Sequence, residues 1–252
     1  MLLWGTSFLF TSCLDEFGNA PAPHPESVKV GIYAGGAQTR TAMLPNGLSA
    51  EWVSGDEIAV WALNSSGAYT LTNQTFGTYG IDASRGFFTS TLNAAMPEGT
   101  YTYYCCYPKP LSVSGTQVTF NVPAEQDGKA GNGADIMVAT PVQHAALTAV
   151  PDPEDHSGMS MSMNRMMHQF RFWMPAGYNA MGEEVQEIVL TTPQNVAGTV
   201  SADIADPSAG IVVSGGTNTM TLVLSDPIGE SSDLENASFA CASVIPFSGT
   251  YS

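Results

Sequence analysis

Cys13 is the residue best placed to do chemistry: it closes the apolar run Phe8-Leu9-Phe10-Thr11-Ser12 and is followed at once by Leu14-Asp15-Glu16. A short apolar segment ending on small residues is what export machinery handles, and a cysteine at that point accepts lipid on its thiol. Met1 to Ser12 is too short to span a bilayer as a helix, which takes about 20 apolar residues. A single acyl chain holds a protein to a membrane only marginally, so several chains on Cys13 would be needed for firm tethering. No Lys or Arg precedes Cys13, so this reading expects a start upstream of Met1; a trimmed ordinary signal peptide is the alternative.

The other groups able to do chemistry lack the spacing for it. His24, His144, His156 and His168 show no ligand pattern, and no H-E-x-x-H occurs. Met159, Met161, Met163, Met166 and Met167 offer thioethers of the kind that select Cu(I), but the first three alternate with Ser160 and Ser162 at the period of core-facing strand residues. Asp152, Glu154 and Asp155 lack the glycine and terminal bidentate Glu of a calcium loop and read as a solvated linker. Gly131-Asn132-Gly133 has no third glycine and no βαβ surroundings. No G-x-S-x-G elbow is present, and no histidine pairs with Cys105, Cys106 or Cys241 in sequence. The expectation is no catalytic residue, no metal and no cofactor.

What the chain does carry is strand. Only 12% of its 252 residues are charged, while glycine (25) and proline (16) are plentiful and no long amphipathic helical pattern appears, which indicates an all-β protein. The net charge of −16 repels phosphate backbones and anionic headgroups, which argues against nucleic acid as a partner. Val28, Val30 and Ile32 alternate with Lys29, Gly31 and Tyr33, the period of a half-buried strand. A Gly55-Asp56 turn separates Trp52 from a strand over Ile58, Val60 and Ala62. Further strands are expected at Tyr69-Leu71, Gly86-Ser90 with Phe87 on the opposite face, Gly99-Cys105, Val118-Val122 and Asp135-Ala139. After a Pro- and Asp-rich break come Met159-Met174, Ile188-Leu190, Gly198-Val200, Ile211-Val213, Met220-Leu224 and Phe239-Ile245. Because neighbours on a strand point to opposite faces, at most one of Cys105 and Cys106 is expected to face the core; with Cys241 they read as small buried apolar residues, a pairing with Cys241 being the alternative. Residues 1–13 then form the lipoprotein signal, 14–26 a tether, 27–150 a first β-sandwich and 151–252 a second, incomplete one.

Several of these pieces, taken in order, resemble the fimbrillin-like proteins of Bacteroidales. They are the lipobox at Cys13, a strand followed by Thr39-Arg40-Thr41, Trp52 with Gly55-Asp56-Glu57-Ile58, Tyr101-Thr102-Tyr103-Tyr104 before Pro108, Asp135-Ile136-Met137, and the apolar strand leading into His168. The acidic pair after Cys13 is similar to that of Bacteroidetes lipoproteins exported to the cell surface. The resemblance implies two tandem β-sandwiches of transthyretin-like type in a structural subunit or anchor of a fimbrium at the outer membrane. Its partners would be other fimbrial subunits, reached by strand exchange, the membrane, reached through the lipid, and a receptor on a host or bacterial surface. In stalk members a protease cuts after an arginine near the first strand, a position matched by Arg40, and the strand with its lipid leaves; anchor members stay uncut. The chain is shorter than relatives that run on past Val244-Ile245-Pro246.

Replacing a strand re-forms hydrogen bonds along two sheet edges while alternate side chains fill the core. With Val28, Val30 and Ile32 facing inward, the exchangeable strand would contribute roughly 5 to 9 kcal/mol of apolar burial, at about 1.5 to 3 for each side chain. The rival expectation is a glycan-binding surface lipoprotein in which Trp52, Trp61, Trp173 or Tyr178 stacks on sugar rings.

Overall fold

The computed structural model describes residues 26–35, 42–43, 50–82, 85–129, 134–150, 158–232 and 237–248. The first strands are β1 (Val28–Gly35), β2 (Ala42–Met43), β3 (Ala50–Glu51), β4 (Glu57–Asn64), β5 (Tyr69–Asp82), β6 (Arg85–Leu92) and β7 (Thr100–Tyr107). Then follow β8 (Ser112–Ser114), β9 (Gln117–Val122), β10 (Glu125–Gln126), β11 (Met137–Ala139), β12 (Val142–Ala145), β13 (Ser160–Arg165), β14 (His168–Phe172) and β15 (Met174–Pro175). The remainder are β16 (Val185–Thr191), β17 (Ala197–Asp203), β18 (Ile211–Thr217), β19 (Thr219–Ile228), β20 (Glu230–Ser231) and β21 (Ala240–Val244), with one 3-10 turn at Pro207–Ala209. Among the described residues no helix is long and apolar enough to cross a membrane.

The all-β expectation holds, but the sheet around β1 is not an open two-layer sandwich. Its strands run β11-β13-β1-β6-β5-β4-β7, and β11 pairs with β7 as well as with β13, so the sheet closes into a seven-stranded barrel. Closure removes the two free edges that a sandwich leaves exposed. The interior is built by alternation: Val30, Ile32 and Ala34 of β1, Ile58 and Val60 of β4, Phe88 of β6, Tyr103 and Cys105 of β7, Met137 of β11, and Met161 and Met163 of β13 share one core. The methionine run is therefore core wall, as its period-two spacing indicated.

A second core lies on the outside of that barrel. Ala59 and Trp61 of β4, Tyr104 and Cys106 of β7, and Val138 of β11 point outward and are buried with Phe120 of β9, Val200 of β17, Leu222 of β19 and Val244 of β21. These partners come from a four-stranded sheet, β18-β17-β9-β8, a three-stranded sheet, β10-β19-β16, and the pair β14-β21. Both Cys105 and Cys106 are fully buried, as expected of small apolar residues, but on opposite faces of β7 that each meet a different core, where only one was expected to face a core. With Cys241 they are free thiols, and burial raises the pKa of all three.

The two cores do not divide at the Pro- and Asp-rich break, whose residues 151–157 lie outside the described ones. β13 follows that break yet pairs with β1 and β11 in the barrel. β9 precedes it yet pairs along its whole length with β17.

Candidate functional site: the first strand and its slot

β1 is an interior strand of the barrel wall. Along one side it forms an unbroken antiparallel ladder with β6, from Val28 opposite Leu92 to Gly35 opposite Arg85. Along the other it pairs in parallel with β13 at Tyr33, Ala34 and Gly35 only. The lower part of that second side is closed by chain from the β12 exit: Val30 bridges Ala149, and the Val150 N–H donates to the Lys29 carbonyl at 2.9 Å. Thus the backbone of β1 is satisfied along both edges, the condition that any replacement strand has to reproduce.

The side chains divide as the alternation predicts. Val30, Ile32 and Ala34 are fully buried inside the barrel. Val28 is only half-buried at its mouth. Of the expected exchangeable residues, Val30 and Ile32 thus carry most of the burial, roughly 3 to 6 kcal/mol together, rather than the larger sum for three. On the outer face the Tyr33 ring lies 4.6 Å from the Phe87 ring, Lys29 sits 3.8 Å over Tyr79, and Arg85 lies over Tyr33. Sequence reading missed this aromatic and cationic cover, whose signal is the outward set Lys29, Tyr33, Tyr79, Arg85 and Phe87.

Gly31 is dictated by that cover: a Cβ there would overlap the tip of the Phe87 ring and press on Val150. A small cavity of about 90 Å³ lined by Gly31, Tyr33, Phe87, Leu147 and Met159 lies on the same face. Gly31→Val is expected to destabilise the chain by about 1–3 kcal/mol through overpacking. A thermal melt indistinguishable from the wild type would refute that assignment.

Trp52 is buried in the barrel core, with its ring edge-on to Phe88 at 5.0 Å and to Tyr107 at 5.3 Å. The turn after it explains the Gly-Asp pair. Gly55 adopts φ of +96°, and Asp56 accepts from the Val53 N–H at 2.8 Å and from the Tyr107 hydroxyl at 3.1 Å. Burial and the Asp56 carboxylate push the Tyr107 phenol far above its ordinary pKa, so it stays a neutral donor. The motif is a fixture of the barrel rather than a reactive group.

At the junction of the two cores Asp135, just before β11, is 1% exposed and holds Arg165 at the end of β13 by a two-pronged ion pair, with nitrogen–oxygen distances of 2.7–2.9 Å. Burial raises the Asp135 carboxyl above the ordinary carboxylate range, an effect that Arg165 and a hydrogen bond from Gln169 oppose. Gln169 also donates to the Ser243 hydroxyl, and the Gln126 amide pairs with the Ser243 backbone through two hydrogen bonds. This polar chain ties the strand beside β1 to β21.

Cys13, His24, Arg40 and His156 lie outside the described residues. His144 and His168 are exposed, and the described residues contain no group of three or more His, Cys, Asp or Glu that could hold a metal ion. The aromatics of the glycan expectation do not come together as a platform: Trp52 and Trp61 are buried, Trp173 is half-buried, and Tyr178 stands 79% exposed on a separate loop.

The arrangement defines a class of all-β protein, a barrel with further sheets packed on its outer wall. Its fold is shared with a protein of Bacteroides uniformis provisionally assigned to cell adhesion, at a TM-score of 0.54 and 15% identity over 86% of this chain and 74% of that one. A provisionally assigned adhesin of Bacteroides ovatus aligns at a TM-score of 0.36 and 11% identity over 89% of this chain and 69% of that one. The fimbrial anchor protein Mfa2 of Porphyromonas gingivalis aligns at 0.34 and 13%, over 88% and 74%. No protein-family model and no curated protein matches the chain.

Proposed function

We propose that this chain is a fimbrillin-like surface protein, a non-enzymatic structural subunit or anchor of a bacterial fimbrium that joins other subunits by strand exchange and serves adhesion. The observation that carries the reading is β1. It is a ribbon near the start of the fold, paired along both edges, that puts Val30, Ile32 and Ala34 into the barrel with Val28 at its mouth. Release of such a ribbon opens a slot with unpaired backbone on both walls, and a donor strand with small or branched apolar residues at alternate positions and a glycine under the tip of the Phe87 ring restores it.

The fold shared with a protein provisionally assigned to cell adhesion supports a surface role. In this reading the barrel and the outer sheets are the counterparts of two transthyretin-like sandwiches. Cys13 carries the lipid that holds the chain to the outer membrane, and Arg40 is the processing point in a stalk subunit. The receptor is a molecule of a host or bacterial surface.

N-terminal sequencing of the protein taken from the cell surface tests the role. A mature terminus at Thr41 assigns it to the stalk, and an intact acylated Cys13 assigns it to the anchor. Strand exchange itself predicts ladders of heavier species in unboiled samples; surface protein that runs as a single species would overturn it.

A further inference from the structure

We infer that Phe87 is the residue by which the β1 slot selects its occupant: the tip of its ring admits glycine at the place of Gly31 and rejects larger residues, and so fixes the register of an incoming strand. The inference rests on strand exchange at β1 and adds the chemistry of the partner, a strand of another chain with glycine between two branched apolar residues. A Cβ on residue 31 would overlap the end of the Phe87 ring on one side and stand 3.3 Å from Val150 Cγ2 on the other. Both neighbours are held close. Phe87 is buried, with Tyr33 at 4.6 Å and Tyr79 edge-on at 6.1 Å, and the Val150 N–H donates to the Lys29 carbonyl at 2.9 Å.

Alternation alone does not set the register of such a strand. Displacement by one residue turns the apolar side chains to the wrong face, but displacement by two keeps every side chain on its own face. Val28, Val30 and Ile32 would then stand in one another's places, and their similar chemistry does not forbid it. The outward residues do. β6 sets Tyr33 opposite Phe87 and Gly31 opposite Thr89, and the Phe87 ring leans across from its own pair to cover Gly31. A ribbon displaced by two in either direction brings Lys29 or Tyr33 beneath that ring.

The occupant is read from the strand that fills the slot. It runs antiparallel to β6 and parallel to β13, and it carries branched side chains at the places of Val30 and Ile32 and a small one at the place of Ala34, all fully buried. Of the 25 glycines in the sequence, Gly31 alone stands between two branched aliphatic residues. No other segment of this sequence repeats the β1 pattern, so the strand that fits in its place comes from another chain.

Labelled peptides of residues 26–35, with the native sequence or with Gly31→Val, test this on the full chain carrying Ile32→Ala, which weakens the chain's own ribbon without altering residues 31 or 87. Ile32→Val is the milder acceptor where Ile32→Ala does not fold. Fluorescence anisotropy reads entry of the peptide. The native peptide is expected to bind at least about tenfold more tightly than the Gly31→Val peptide, because the added side chain overpacks the wall. In an acceptor that also carries Phe87→Ala the order is expected to vanish or reverse, since valine is the better strand former once the ring is gone. Poor solubility of one peptide would not produce that change. Equal binding of the two peptides with Phe87 intact, or a preference for glycine that persists in Phe87→Ala, overturns the inference and leaves strand exchange standing. Entry of neither peptide overturns strand exchange at β1 and the inference with it.

Discussion

Trp61→Ala is expected to remove about 3–5 kcal/mol of stability, among the largest losses available to a single substitution in this chain. Trp61 is fully buried although its side chain points out of the barrel, away from Val60 and Ala62. It enters the second core together with Cys106, Val138, Phe120, Leu222 and Val244, which come from both the barrel and the outer sheets. Truncation there leaves a void between hydrogen-bonded sheets. Their ladders limit how far either wall can move inward, so little of the void is recovered by collapse. Trp61→Phe keeps most of the ring and is expected to cost less than half as much. Urea unfolding followed by far-UV circular dichroism checks both, and a midpoint for Trp61→Ala equal to that of the wild type would show that the outer sheets are not anchored on the barrel through this side chain.

Arg165→Met is expected to be of similar size at neutral pH, about 3–5 kcal/mol, because it strands a carboxylate that has no route to water. Asp135 is 1% exposed, whereas the Arg165 side chain retains 18% exposure, so the loss is asymmetric. Asp135→Asn leaves a cation that still reaches solvent and is expected to be milder. The pH dependence has a definite sign. Burial already lifts the folded-state pKa of Asp135 above that of an unfolded carboxyl, and loss of Arg165 lifts it further. In the interval between the two values the folded state binds the proton and the unfolded state does not, so stability falls as pH rises through it. The deficit of Arg165→Met relative to the wild type should therefore shrink on acidification from neutral pH, as Asp135 takes up its proton in the folded chain. A deficit that is constant between neutral and mildly acidic pH would mean that the ion pair is not what Arg165 contributes.

Most strands of this protein were legible as alternation. Val28 to Ile32, Ile58 to Ala62, Val118 to Val122 and Met220 to Leu224 each place apolar residues at every second position, and each is a strand with those residues inward. The Trp52 to Ile58 motif was legible as turn chemistry, since a glycine at positive φ and an aspartate able to accept from nearby backbone were required there. The extent of β5 was not legible. It runs from Tyr69 to Asp82 through Asn73 at φ of +49° and several register shifts, which break the alternation that would have revealed it. The ion pair of Asp135 and Arg165 was hidden for a different reason: the partners are 30 residues apart and meet only because β11 and β13 are neighbours.

The sequence by itself determined the class of structure, the direction in which each alternating side chain points and the turn at Gly55-Asp56. Those are local properties, set by a two-residue period, backbone sterics and side-chain type. Tertiary structure alone decided that the sheet closes, that β13 crosses the Pro-rich break to border β1, and that Cys106 and Trp61 are as buried as Cys105 and Val60. A strand fixes which residues share a face, but whether that face meets water or a second core depends on what other parts of the chain lie against it, and no local pattern encodes that contact.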